Sequence, residues 1–321
     1  MSDALFAGLR RPPHALDRPA GEIDPEDLQL ALYCCYELHY RGFEGVDERW
    51  EWEPSLLAFR GELERRFEDE LIELVGTPGA PPDPREIDVL LRELMQGDDA
   101  PSVSSFIERE GSAAQVLEFM VHRSAYQLKE ADPHTWALPR LHGKPKAAMV
   151  EVQFDEYGNG RAEDIHAELF ARAMDAVGLD STYGAYLEQI PSVTLATVNL
   201  MSLFGLHRRL RGAIVGHLAL FEMTSSVPNR RYANGLRRLG CSERATAFFD
   251  EHVLADAIHE SVAAVDLAGG LARQQPQTAP DILWGAAALV ELDARFARHL
   301  LAAWKRGDSS LRVELSQQLA A

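Results

Sequence analysis

An all-α fold is predicted by three features of this 321-residue chain. Apolar residues recur at helical spacing in one run after another. Short glycine- and proline-rich breaks separate the runs. Nowhere do apolar and polar residues alternate long enough to read as a set of strands. A hydrophobic share of 46% is enough for one large core or two average ones.

Taken in order, residues 1–26 are proline-rich and read as a loose arm. From Glu26 to about Val75 the pattern is helical. Leu28, Leu30, Leu32 and Tyr33 open one amphipathic run, and Leu56, Leu57, Phe59 and Leu63 open another. The break at 76–82 is rich in glycine and proline, helix resumes from Pro84 to Met95, and a second break covers 97–101. Residues 27–101 therefore read as accessory N-terminal helices. Their apolar stripes need a covering surface, either the rest of the chain or a second copy in a homodimer. The core is expected from 102 to 306, with a C-terminal tail at 307–321. Its helices are read as Ser112–Ala131, stopped before Asp132-Pro133, Lys144–Tyr157, stopped at Gly158-Asn159-Gly160, and Arg161–Val177. Ser192–Ser225 reads as one long glycine-punctuated helix with room for a kink. Ser242–Leu271 follows with Ser242 as N-cap, then Ala279–Lys305.

Bulk properties exclude several classes. A net charge of −18 is the wrong sign for nucleic-acid binding. The longest apolar stretch, Val193 to Leu206, is too short and too polar to span a bilayer. Three cysteines, Cys34, Cys35 and Cys241, offer no disulfide framework, and a reducing, cytoplasmic setting is expected.

Chemistry concentrates between Asp250 and Glu260. His252, Asp256 and His259 stand at i, i+4 and i+7, within about 60° of arc on one helix face. Phe248, Phe249, Ala255 and Ala263 share that side, so the face points inward. Ionisable groups are not buried without a partner. Two imidazoles and a carboxylate suit a transition metal, the alternative being a solvated acidic helix. Other helices supply further candidates. His166 sits in the apolar stripe of Ile165, Leu169 and Phe170, where a hydrogen-bonded core histidine is the plainer reading. Glu222 follows the apolar run 218–221. Glu156 and Glu130 stand at the C-terminal ends of their helices, where the dipole disfavours an acid by a few tenths to about 1 kcal/mol. A cation nearby would reverse that penalty. Glu163, at i−3 from His166 as in ferritin-type pairs, is an alternative to Glu156. His122 and His134 are read as solvated histidines or as hydrogen-bond donors to a ligand.

The series Glu130, Glu156-Tyr157-Gly158-Asn159-Gly160, His166, Glu222 and His252-x-x-x-Asp256-x-x-His259 resembles the heme-oxygenase-like diiron oxidases and oxygenases. The resemblance covers roughly Ser102 to Arg306. It implies a heme-oxygenase-like helical bundle holding two irons through Glu130, Glu156, His166, Glu222, His252, Asp256 and His259. The extra glutamate resembles the seven-ligand N-oxygenase branch. The resemblance further implies dioxygen as cosubstrate, an external electron donor, a peroxo-diferric intermediate and N-oxygenation of a small amine or guanidine. Desaturation or C–C scission by the same scaffold is the alternative within the family. A non-catalytic iron-binding protein is the alternative outside it.

Overall fold

The computed structural model describes residues 1–97 and 100–315, with the side chains of 255–258 outside the described residues. The helices are α1 (Ser2–Leu9), α2 (Pro25–Glu37), α3 (Pro54–Val75), α4 (Ile87–Gly97), α5 (Val103–Arg109), α6 (Ala113–Gln127) and α7 (Asp132–Thr135). They continue as α8 (Gly143–Glu156), α9 (His166–Ala176), α10 (Ser192–Leu206), α11 (Arg211–Arg238), α12 (Glu243–Ser261), α13 (Gly269–Gln274) and α14 (Ala279–Arg306). Among the described residues there is no strand, only an isolated bridge between Tyr157 and Ile165.

Local chemistry sets the starts. Pro25 and Pro54 occupy first-turn positions of α2 and α3, where a missing N–H and a fixed φ do no harm. Ser112 and Gln115 form a reciprocal capping box at the start of α6. Gly307, left-handed at φ 80°, ends α14.

α11 lies at the centre, packed against α14, α12 and α5, while α12 also packs on α9. Two glycines bring α11 and α14 together. A Cβ on Gly216 would collide with the Ile282 carbonyl, and one on Gly285 with that of Ala213. Any larger residue would push these helices apart and displace Glu222, less than two turns beyond Gly216.

Four expectations are corrected here. Residues 1–26 do not open as a loose arm: α1 is helical, buries Leu5 and Leu9, and is tied down by the N-terminal ammonium 2.7 Å from Asp27. The stretch 192–225 is not one helix but α10 and α11, separated by a turn at His207–Leu210. Glu222 thus lies within α11 rather than at a helix end. The helix read to Ala131 stops earlier, at Gln127, so Glu130 lies in a turn rather than at a helix end, and Asp132-Pro133 begins α7, where proline is tolerated in the first turn. The Ser242–Leu271 run passes through a π-helical turn, Val262–Ala268, directly after α12.

The hydrophobic core is continuous across the expected boundary near residue 101, running from Leu5 to Leu311. Leu56, Phe59 and Leu63 are buried within the chain itself, so no second copy is needed to cover them.

Candidate metal centre

Five segments carry carboxylates and imidazoles to one buried place. Glu130 comes from the turn after α6, Glu156 from the last residue of α8, His166 from the first residue of α9 and Glu222 from within α11. His252 and His259 come from α12, whose π-turn follows immediately. The link from Glu156 to His166 is tight. Gly158 (φ 67°) runs so close to the Asp164–Ile165 backbone that a Cβ would not fit. That fold-back sets His166 Nδ1 2.9 Å from Glu156 Oε2.

None of these six side chains belongs to a residue more than 5% exposed. Their ligand atoms form two groups, each within 4.8 Å internally: Glu130, Glu156, His166 and His252, and Glu156, Glu222 and His259. Glu156 belongs to both. Across the first group, His252 Nε2 lies 3.6 Å from Glu130 Oε1; across the second, His259 Nδ1 lies 3.4 Å from Glu222 Oε2. Asp256, the seventh residue of the predicted set, lies outside the described residues.

Burial and mutual contact set the charges of these groups. Three carboxylates and three imidazoles face one another in a buried space. Burial pushes the Glu130 carboxyl above its ordinary value, against the pull of His252. Burial acts on Glu156 in the same sense, but His166 beside it prevails and holds it down at about 2. Burial opposes charge on His166, and Glu156 outweighs it, so that imidazole is raised. His259 is raised to about 9, burial being overcome by Glu222 and Asp155. Glu130 Oε2 is buried without a hydrogen bond among the described residues, and Glu156 Oε2, His166 Nδ1 and His259 Nδ1 have only one another or Glu222 as partners. Buried polar atoms are seldom left so. Carboxylates and imidazoles that face a shared point with only one another as partners fit a metal, and mixed nitrogen and oxygen donors fit iron.

Two contacts that the sequence does not announce hold the imidazoles in place. His252 Nδ1 is 2.8 Å from the Phe248 carbonyl, one turn back on α12. His259 Nε2 is 2.7 Å from Asp155 Oδ2. Each leaves the other ring nitrogen aimed inward, the arrangement in which a metal-binding histidine is oriented by a carbonyl or carboxylate behind it. The only hint of Asp155 in the sequence is its place beside Glu156.

The neighbouring candidates sort out. Glu163 is exposed, so Glu156 takes the place beside His166. His122 and His134 are not solvated but 1% and 0% exposed. His122 is bound to Thr194 and Ser310, away from the centre. His134 lines the small cavity between Glu130, Glu156, Glu222 and His252, with its Nε2 3.1 Å from His217 Nδ1.

A helical fold around inward carboxylates and imidazoles defines a class of iron-binding redox protein, and comparison agrees. The model of the iron-containing redox enzyme family matches residues 117–294. That is more than half of the chain, and the chain belongs to this family and is an oxidoreductase. It is also 30% identical over 138 residues to a nitrosourea synthase of Streptomyces achromogenes subsp. streptozoticus. That match takes in 42% of this chain and 29% of the synthase, so the chain spans less than a third of the relative's length. No helix among the described residues is long and apolar enough to cross a membrane.

Proposed function

We propose that this chain is a non-heme diiron oxygenase that N-oxygenates a small amine or guanidine. One observation carries the reading: the two buried ligand groups share Glu156. A carboxylate common to two sets of donors is what a pair of metals a few ångströms apart requires. When bound, iron supplies the reducing electrons and open coordination positions needed to activate dioxygen.

The chain's own residues do the rest. Glu130, His166 and His252 would hold one metal and Glu222 and His259 the other, with Glu156 between them; Asp256, which the resemblance adds to the set, lies outside the described residues. Asp155 Oδ2 keeps the proton on His259 Nε2, so Nδ1 is the free donor. The Phe248 carbonyl does the same for His252 through Nδ1. Tyr126, Leu218 and Phe221 wall the cavity of about 10 Å3, room for no more than about one water. That exclusion protects an activated oxygen from side reactions. The overall reaction balances as an amine, dioxygen, two electrons and two protons giving a hydroxylamine and water. The electrons come from an external donor.

The family match and the similarity of residues within the synthase support this reading. The second reading within the family, desaturation or C–C scission, is the other outcome of the same test. Protein loaded anaerobically with ferrous iron is mixed with dioxygen, a reductant and a panel of amines and guanidines, and products are weighed by mass spectrometry. Gain of one oxygen on nitrogen supports the proposal. Loss of two hydrogens, or carbon-chain cleavage, in its place supports the second reading.

A further inference from the structure

One histidine in the wall of the small cavity has no place in either ligand group. His134, on α7, lines that cavity beside Glu130, Glu156 and Glu222, yet belongs to neither set of donors. The ring of His217, on α11, lies behind it, outside the lining. Both rings are buried. His134 Nε2 is 3.1 Å from His217 Nδ1. Nδ1 of His134, on the edge of the ring turned from His217, is buried and has no hydrogen-bond partner among the described residues. An orphaned nitrogen is uncommon in an interior. Here the ring that carries it borders a space with room for about one water. Neighbouring rings fix both imidazoles: Tyr126 stands edge-on to His134, and Phe221 stacks on His217.

Burial pushes His134 down to about 4, against the pull of Glu156, and pushes His217 well below its ordinary value. Both are therefore neutral at neutral pH. A neutral imidazole carries one N–H and one lone pair, so two such rings in contact share a single hydrogen between them. Two arrangements satisfy the contact. In one, His134 Nε2 donates, and His134 Nδ1 is a bare lone pair. In the other, His217 Nδ1 donates, and the His134 proton sits on Nδ1. The cavity decides between them. Three glutamates line it, and their negative charge attracts an N–H and repels a lone pair.

We propose that His134 is a further catalytic residue, which donates from Nδ1–H to an oxygen of the dioxygen or water seated in the small cavity. His217 is its positioning residue and fixes that tautomer, as Asp155 does for His259. The identity of the guest rests on the proposed oxygenase reading; the position of the proton does not. A donor fixed in advance beside the place where dioxygen gains negative charge lowers the cost of that charge.

Two measurements test this. The first needs no metal. Two-bond proton–nitrogen NMR spectra of the metal-free protein with isotope-labelled histidine show which ring nitrogen carries the proton. His134→Asn and His217→Phe assign the two signals by their loss. Both rings are expected to carry the proton on Nδ1, and a proton on His134 Nε2 overturns the proposal. The second measurement is a fluoride titration of the iron-loaded, oxidised protein, followed by the absorption of the iron. Fluoride is a single-atom acceptor that suits a space for about one water. His134→Asn sets an amide N–H where Nδ1 was, and His134→Gln sets one where Nε2 was. Fluoride affinity is expected to fall roughly tenfold in His134→Gln and to stay within about threefold of wild type in His134→Asn. A merely structural ring would give the reverse order, because glutamine keeps the contact with His217. Equal affinity in all three proteins, a greater loss in His134→Asn, or no fluoride binding by wild type overturns the proposal. Should the variants fail to fold, wild-type spectra with His217→Phe still locate the His134 proton. Protein that takes up no iron defeats the oxygenase reading and leaves the donor to be judged by the spectra alone.

Discussion

Lys129 and Glu130 are neighbours in the chain and enter two different kinds of buried polar cluster. Lys129 Nζ is 3.0 Å from Glu37 Oε2, and both side chains are 1% exposed. Tyr183 donates its hydroxyl to the same oxygen at 2.8 Å, and the Arg41 amide donates to Oε1 at 3.2 Å. The Lys129 ammonium also lies 4.6 and 4.5 Å from the ring centres of Tyr33 and Tyr40. Charge is balanced there, and the lone pairs are used. On the other side of the same peptide, Glu130 joins two more carboxylates and three imidazoles that face one another, with Glu130 Oε2 buried and bonded to nothing among the described residues. Burial alone therefore does not mark a functional site; the difference is whether the cluster completes itself. The first holds the N-terminal helices to the core. The second is complete only with something added.

That contrast gives substitutions of opposite sign. Glu37→Ala is expected to destabilise the fold by about 3–5 kcal/mol, because Lys129 is left buried and alone. Denaturant melts measure it, and iron binding by the protein that remains folded should be unchanged. Next in size is an acid effect at another closed cluster. His122, held neutral by burial with a folded-state pKa of about 3 against 6.5 ordinarily, binds a proton only in the unfolded chain between those values. The unfolded state takes up protons there, so stability is full above pH 6.5 and falls as pH drops toward 3. From pH 6.5 to about pH 4.5 the loss from this group is roughly 2–3 kcal/mol. His122→Gln should flatten the slope of stability against pH in that window by up to one proton. An unchanged slope would show that His122 is not the group responsible.

Smaller effects fall at the open cluster. Asp155→Asn should weaken iron binding roughly 10–100-fold through the freed His259 ring, with the melting temperature of the metal-free protein nearly unmoved. Smallest is Glu130→Gln in the metal-free state. The Glu130 carboxyl is raised by burial, so its ionised form works against the fold once pH exceeds the ordinary carboxylate value. Removing the charge should stabilise the metal-free protein at neutral pH while lowering iron affinity. Destabilisation by Glu130→Gln comparable to that of Glu37→Ala would erase the distinction between the two clusters.

Much of this was legible in the sequence because the site's residues contradict their surroundings. His166, Glu222 and the His252/His259 pair interrupt apolar faces at helical spacing, and such interruptions are visible without coordinates. So were the helices, whose breaks at 76–82 and 97–101 are chemically plain. What could not be read depends on contacts across the fold. Asp155 looks like any acid near a helix end until α8 meets α12. Lys129 and Glu37 are 92 residues apart, and neither interrupts a pattern that marks it as buried. The split of 192–225 was hidden because Arg208–Leu210 is a single 3-10 turn with no proline or glycine in it. The docking of α1 depends on its own Leu5 and Leu9, whose short apolar run is followed by prolines that mark a loose segment.

The central claim is that two metals sit on either side of Glu156. It is tested most directly by counting iron. Wild-type protein and Glu156→Ala are loaded anaerobically with ferrous iron, desalted, and measured for iron per chain, with Mössbauer spectra of the bound metal. Wild type is expected to hold two irons per chain in a coupled pair, and Glu156→Ala to lose that pair while keeping the helical fold. One iron or none in wild type, or two still coupled in Glu156→Ala, would contradict it.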